Sequence, residues 1–253
     1  MKKRTVLPLV MLTAMACLPC PATTEGVAPP SLAQFDEEVA VCRRAVRDYC
    51  TIVQNMMKTA EPDPEQQAKG LALLKDAREK WDVIQKKYSS LPPVEYAGDK
   101  AFKARLQDFA NALEDMEKAL AAGDARRSFQ ACGFGCGLFV TMHEENGLDY
   151  ALDKLFHLRK DIKTAQVLIT TRGMATVRAR LPAMLQKRDA VLLAPPPFPA
   201  GNPKAEAFRS AVAELSAALD RLAAAAARGD TAEVEAILGQ GLSLVNKPYG
   251  IAL

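Results

Sequence analysis

The stretch Asp99–Asp124, DKAFKARLQDFANALEDMEKALAAGD, decides the fold. Its large apolar residues are Phe102, Leu106, Phe109, Leu113, Met116 and Leu120. They recur every three or four positions, so they fall on one stripe of an α-helix, with charged and amide residues on the opposite face. Gly123 ends that helix and Asp124 is placed to cap the next. The same pattern returns 106 residues later. Phe208 stands for Phe102, Val212 for Leu106, Leu215 for Phe109, Leu219 for Leu113 and Leu222 for Met116, and Gly229-Asp230 stands for Gly123-Asp124.

The correspondence runs on into the following helix, where Cys132-Gly133-Phe134-Gly135-Cys136 meets Leu238-Gly239-Gln240-Gly241-Leu242. Earlier segments need other offsets, as loops of unequal length require. Gln85-Lys86-Lys87 resembles Gln186-Lys187-Arg188 at a shift of 101, and Cys42-Arg43-Arg44 resembles Leu158-Arg159-Lys160 at 116. An internal duplication accounts for all of these matches. Each glycine of the two Gly-x-Gly pairs costs about 1 kcal/mol against alanine in a helix. Such positions are expected to admit a neighbouring backbone or a flat ligand at close range.

Helical periodicity extends outward in both directions. Helices are expected from Ser31 to about Lys58, Glu65 to Tyr88, Asp99 to Ala122, and from Asp124 to about Asn146. The second set runs Leu148 to Thr171, Met174 to Val191 (bent or restarted at Pro182), Pro203 to Ala227, and Asp230 to about Asn246. Pro62-Asp63-Pro64, Leu91-Pro92-Pro93, Arg172-Gly173 and Pro195-Pro196-Pro197 separate them. Short connections favour antiparallel neighbours. The expectation is therefore an all-α chain of two tandem antiparallel four-helix bundles, residues 31–147 and 148–253, each long enough for its own core. The two units are candidates to pack as a pseudo-dimer.

Residues 1–22 have the form of a secretory signal peptide: a basic Lys2-Lys3-Arg4 start, an apolar Val6–Ala16 run, and small-x-small sites at Ala14-Met15-Ala16 and Cys20-Pro21-Ala22. Cleavage before Cys17 would make that residue a lipid-anchor candidate. Residues 23–30, with Pro29-Pro30, form a short tether. The expected location is a bacterial periplasm, where thiols tend to pair. No later run is apolar for long enough to cross a membrane. The formal charge of +3 comes entirely from the three basic leader residues. A balanced remainder argues against nucleic-acid binding through a basic field. A 49% hydrophobic content argues against disorder.

Leu-Pro-Pro, a helix with Phe102, Ala119-Leu120-Ala121-Ala122-Gly123-Asp124 and a final helix together resemble the cytochrome c prime family. That resemblance implies a periplasmic four-helix bundle carrying haem on C-x-x-C-H near the end of the fourth helix. Counted from Gly-Asp, the motif falls on Phe139-Val140-Thr141-Met142-His143. His143 matches the axial-ligand position, whereas Phe139 and Met142 occupy the two thioether positions. The second unit has Val245-Asn246-Lys247-Pro248-Tyr249 there, without histidine, and no C-x-x-C-H occurs in the chain. Covalent haem is not expected; non-covalent haem b on His143 is the alternative.

Cys132 and Cys136 lie one turn apart on one helical face, and His143 shares their stripe. In an antiparallel bundle, Cys42 lies near their level, with Cys50 further along the first helix. Three readings are open. One is an interhelical disulfide, with Cys42 to Cys136 or Cys132 favoured over Cys50. Another is plain core packing, since Cys42, Cys132 and Cys136 align with Leu158, Leu238 and Leu242. The third is a soft-metal site for copper or zinc from Cys42, Cys132 and Cys136 with His143 or Met142. His157 is expected as a partly exposed helical residue. No nucleophile elbow, phosphate loop, H-E-x-x-H or paired carboxylate is present, so there are no catalytic candidates. The expected function is non-enzymatic binding of a periplasmic protein or small ligand, most simply with no cofactor. The alternative is a redox module using haem or copper.

Overall fold

A computed structural model of the chain describes residues 28–58, 63–198 and 201–253. The stretch read as a signal peptide, Cys17 and most of the expected tether lie outside the described residues. Among the described residues eight α-helices run α1 Leu32–Met56, α2 Pro64–Tyr88, α3 Phe102–Ala121, α4 Ala125–Glu145, α5 Ala151–Arg172, α6 Met174–Leu193, α7 Pro203–Arg228 and α8 Thr231–Ala252. A single 3₁₀ turn, Val94–Tyr96, precedes α3, and no strand occurs among the described residues. The protein is all-α. No helix among the described residues is long and apolar enough to cross a membrane.

Helix ends follow local chemistry. The side chains of Ser31, Asp63, Asp124, Asn202 and Asp230 each accept a hydrogen bond from a first-turn N–H, satisfying donors the helix itself leaves unpaired. Gly123, Gly147, Gly173 and Gly229 take positive φ at the ends of α3, α4, α5 and α7. Four boundaries depart from expectation, one of them the start of α5, which falls at Ala151 and not at Leu148. α3 starts at Phe102 because Asp99 caps a preceding turn, accepting from Ala101 N–H at 2.8 Å. α6 continues through Pro182 without restarting, and α8 continues through Pro248 to Ala252, six residues past the expected end. A proline forfeits one ladder hydrogen bond, and tertiary packing of the surrounding turns outweighs that loss here.

The helices form two cores. α1 packs on α2 and α4 while α3 packs on α2 and α4; α5 packs on α6 and α8 while α7 packs on α6 and α8. The first core is aromatic. Trp81 donates its indole N–H to the Leu106 carbonyl at 3.0 Å and meets the Phe109 ring edge-on, while Phe35 meets Tyr88. The second core is built almost wholly of Leu, Ile, Val and Ala, with Phe208 and Tyr249 as its buried aromatics. Leu148 packs on the first core although it follows Gly147.

Burial repeats at the 106-residue offset. Phe102, Leu106, Phe109, Leu113, Met116 and Leu120 are buried, as are Phe208, Val212, Leu215, Leu219, Leu222 and Ala226. Gly135 and Gly241 are both buried, while Gly133 and Gly239 are both exposed. The buried glycines admit side chains rather than backbone. A methyl added at Gly135 would lie 3.3 Å from the Phe109 ring, and one at Gly241 would lie 2.7 Å from Ile162.

Candidate functional site

The polar chemistry gathers where the first four helices meet the last four. α1 supplies most of it, because it is covered on two sides. Phe35, Val39, Cys42, Val46 and Val53 face the first core, and Arg43 is buried on a neighbouring face, turned toward the second half. Arg43 donates from Nη2 to the Tyr249 hydroxyl at 3.3 Å, and its guanidinium sits 4.9 Å from the Phe139 ring centre. Arg44 donates to the Leu253 carbonyl, and Arg47 donates to the Gly250 carbonyl at 3.0 Å. Three arginines of α1 thus grip the end of α8.

Beside these contacts lies a cavity of about 350 Å³ walled by both halves. Arg43, Arg47 and Asp48 line it from α1, and Phe156 and Arg159 from α5. Asn246 and Tyr249 line it from α8. On the α4 side it is bounded by Phe129, Gly133 and the sulfur-bearing residues Cys132 and Cys136. Cys50 and Cys132 form a disulfide across α1 and α4, with Cα atoms 6.5 Å apart, and this bridge is part of the wall.

The pairing corrects the cysteine expectation. Cys42 is a free thiol with no solvent exposure, and its Sγ donates to the Ala77 carbonyl at 3.4 Å. Burial pushes that thiol up to about 12, so it is a protonated core residue at neutral pH. Cys136 is also free and half-buried at the cavity; burial raises its pKa, with Arg43 and Arg159 pulling the other way. The set Cys42, Cys132 and Cys136 therefore does not exist as three thiols, because Cys132 is spent in the bridge. Among the described residues no three His, Cys, Asp or Glu side chains are grouped to hold a metal ion. An idealised antiparallel pair sets Cys42 level with Cys132 and Cys136, whereas α1 and α4 settle at a different relative height. Cys50, two turns further along α1, is the residue at bridging distance.

His143 does not line this cavity. It is buried near the end of α4 with Nδ1 2.7 Å from an Asp153 carboxylate oxygen, and its ring stacks on Tyr150 at 4.3 Å between centres. Tyr150 in turn donates to Asp36 at 2.5 Å. Burial raises the Asp36 carboxyl above its usual range, against the lowering effect of the Tyr150 hydrogen bond. The chain Asp36–Tyr150–His143–Asp153 ties α1, the turn before α5, α4 and α5 together. Met142 is buried in the first core, and His157 is partly exposed with Nε2 2.7 Å from Glu144.

Arg43, Arg159, Asp153 and Tyr249 were not among the sequence candidates. One signal did exist: Cys42-Arg43-Arg44 and Leu158-Arg159-Lys160 correspond in the repeat, so each half carries an arginine immediately after a core position. A helical bundle with a sulfur- and arginine-lined cavity between its halves defines the class of site. Comparison with protein-family models, curated proteins and solved structures yields no match for this chain.

Proposed function

We propose that this chain is a non-enzymatic periplasmic binding protein built as two tandem four-helix bundles from an internal duplication. It is related in design to the cytochrome c prime bundles, with covalent haem attachment lost, and it holds a small ligand between its halves. The recurrence of burial, glycine placement and helix caps at one offset supports the duplication. A disulfide across α1 and α4 suits an oxidising compartment.

The observation that carries the binding reading is the cavity itself. Its volume of about 350 Å³ falls at the small end of the range for ligand pockets, and it combines aromatic walls with a few convergent polar groups. It also lies at the junction of two packed units, a frequent place for such sites.

Gly133 provides the test. It lines the cavity, and nothing lies within 4 Å of an added Cβ. Gly133→Leu should therefore fill space without a clash and keep or raise stability, since leaving glycine in a helix gains up to about 1 kcal/mol. Native mass spectrometry of protein from a periplasmic extract should show a bound small molecule on the parent chain and none on Gly133→Leu. Equal spectra for the two, together with equal thermal shifts across a small-molecule panel, would reject the reading.

A further inference from the structure

Resting on that reading of the cavity as the binding site, we propose that its ligand is a small organic anion. Its acidic head, a carboxylate or a phosphonate-like group, is held by Arg43 and Arg159, and its apolar body lies against Phe129 and Phe156.

Arg43 makes the argument. A guanidinium stays charged in any protein environment. This one is only 8% exposed, yet among the described residues no carboxylate lies within ion-pairing distance of it. Its one hydrogen bond goes to a neutral hydroxyl, that of Tyr249. The two carboxylates whose charge reaches it are Asp36 and Asp153. Asp36 is engaged by Tyr150 and one Asp153 oxygen by His143; the other Asp153 oxygen is buried without a hydrogen bond and lies beyond ion-pairing distance of Arg43. Burying a guanidinium without a directly paired counter-ion is costly; Tyr249, the Phe139 face and the more distant Asp153 offset that cost, and the fork keeps donors to spare for an anion in the cavity it lines.

Arg159 has the same character. Its Nε donates to the Asn246 amide oxygen at 2.7 Å, and among the described residues it pairs with no carboxylate. It is the repeat counterpart of Arg43, so each half contributes one uncommitted guanidinium to the same cavity. Two planar forks lining one cavity, one from each half, suit a carboxylate or phosphonate, which accepts several parallel hydrogen bonds. Arg47, by contrast, is already committed to Asp48 and to the Gly250 carbonyl. The surroundings are electropositive: Lys163, seated over Phe129, has its pKa lowered by burial and by the charge of Arg159. Asp48 is the single acidic residue on the wall, in a chain whose charges otherwise balance once the basic leader is set aside.

The probes are benzoate and phenylphosphonate, with benzamide as the neutral counterpart and inorganic phosphate as the head without a body. Calorimetric titration of the full chain should show both organic anions binding at least about tenfold more tightly than benzamide, the scale of a lost charge-assisted hydrogen bond. The ratio of benzoate to phenylphosphonate affinity assigns the head group. Inorganic phosphate should bind more weakly than phenylphosphonate. Arg43→Met should weaken anion binding by at least about tenfold while leaving the thermal midpoint of the ligand-free protein near that of the parent, because the apolar side chain keeps the packing on Phe139 and removes a buried charge, offsetting the lost Tyr249 hydrogen bond. A merely structural arginine would give the opposite pair of results, a lowered midpoint with unchanged anion binding, and that would overturn the proposal. Arg159→Gln, at a half-buried position, gives an independent reading and should also weaken the anions. If benzamide binds as tightly as benzoate and Gly133→Leu blocks both, the cavity is a binding site and the anion assignment fails. If no probe binds, or if Gly133→Leu leaves anion binding unchanged, the assignment and the cavity reading fail together.

Discussion

The two halves of the molecule share a frame and differ in what holds it. In the first, Cys50 of α1 is bonded to Cys132 of α4. At the repeat-equivalent places in the second, Gln166 of α5 donates its amide to the Leu238 carbonyl of α8. The corresponding helix pair is tied at the corresponding level, by a covalent bond in one half and a hydrogen bond in the other. The cores diverge likewise, aromatic in the first and aliphatic in the second. Near the end of the last helix of each half, His143 and Tyr249 stand 106 residues apart, and each reaches across to the opposite half, to Asp153 and Arg43 respectively. A helical frame needs only periodic apolar positions and caps, so the residues at its ties and seams are free to differ. That freedom lets the first half carry a disulfide and two free thiols where the second carries no cysteine.

The largest effect should come from breaking the unequal tie. The disulfide closes a loop of 82 residues, and chain-entropy reasoning assigns it about 4–5 kcal/mol. Gln166→Ala removes a hydrogen bond worth about 1 kcal/mol. Urea unfolding of Cys50→Ala/Cys132→Ala and of Gln166→Ala should show that difference. Equal losses would mean that the two ties are energetically equivalent.

The next effect concerns the seam. Asp153→Ala leaves buried His143 without its carboxylate partner and should cost about 2–3 kcal/mol. A loss below about 0.5 kcal/mol, the range of ordinary surface substitutions, would show that the pair contributes nothing to joining the halves.

The smallest effect separates the two free thiols of the first half. Cys42 should resist iodoacetamide in the native protein at pH 8 while Cys136, at the cavity, reacts. Cys42 also carries a pH signature. Its thiol rises from an ordinary 9.0 to about 12 on folding, so the unfolded chain releases that proton first. The contribution to stability is complete below pH 9 and is lost as pH rises from 9 toward 12, with a slope on the order of 1 kcal/mol per pH unit. Unfolding midpoints measured from pH 8 to 11 should fall, and less steeply in Cys42→Ala. Parallel curves would refute the assignment.

Much of the fold was legible. The 3-4-3-4 spacing of Phe102 to Leu120, the Gly-Asp stops and the Ser31 cap act within a few residues of one another, and local rules suffice for them. Pro182 and Pro248 misled in the opposite sense, because each carries a local preference for a break that packing overrides. The site was less legible. Cys42 rather than Cys50 was favoured for the bridge because the relative height of two helices depends on how they settle against each other, and no spacing within either helix records it. Nothing in the local pattern sets Arg43 apart as a site residue, since only the approach of the second half covers it.

By itself, then, the amino-acid sequence determined the helices, their caps, the positions that face each core and the matching of one half to the other. All of these follow from periodicity and short-range hydrogen bonding. The tertiary structure decided which cysteines pair, that His143 meets Asp153, and that Arg43 and Arg159 share one cavity. The physical reason is the same in each case: these contacts join residues far apart in the chain, and their chemistry is set by the burial that docking imposes.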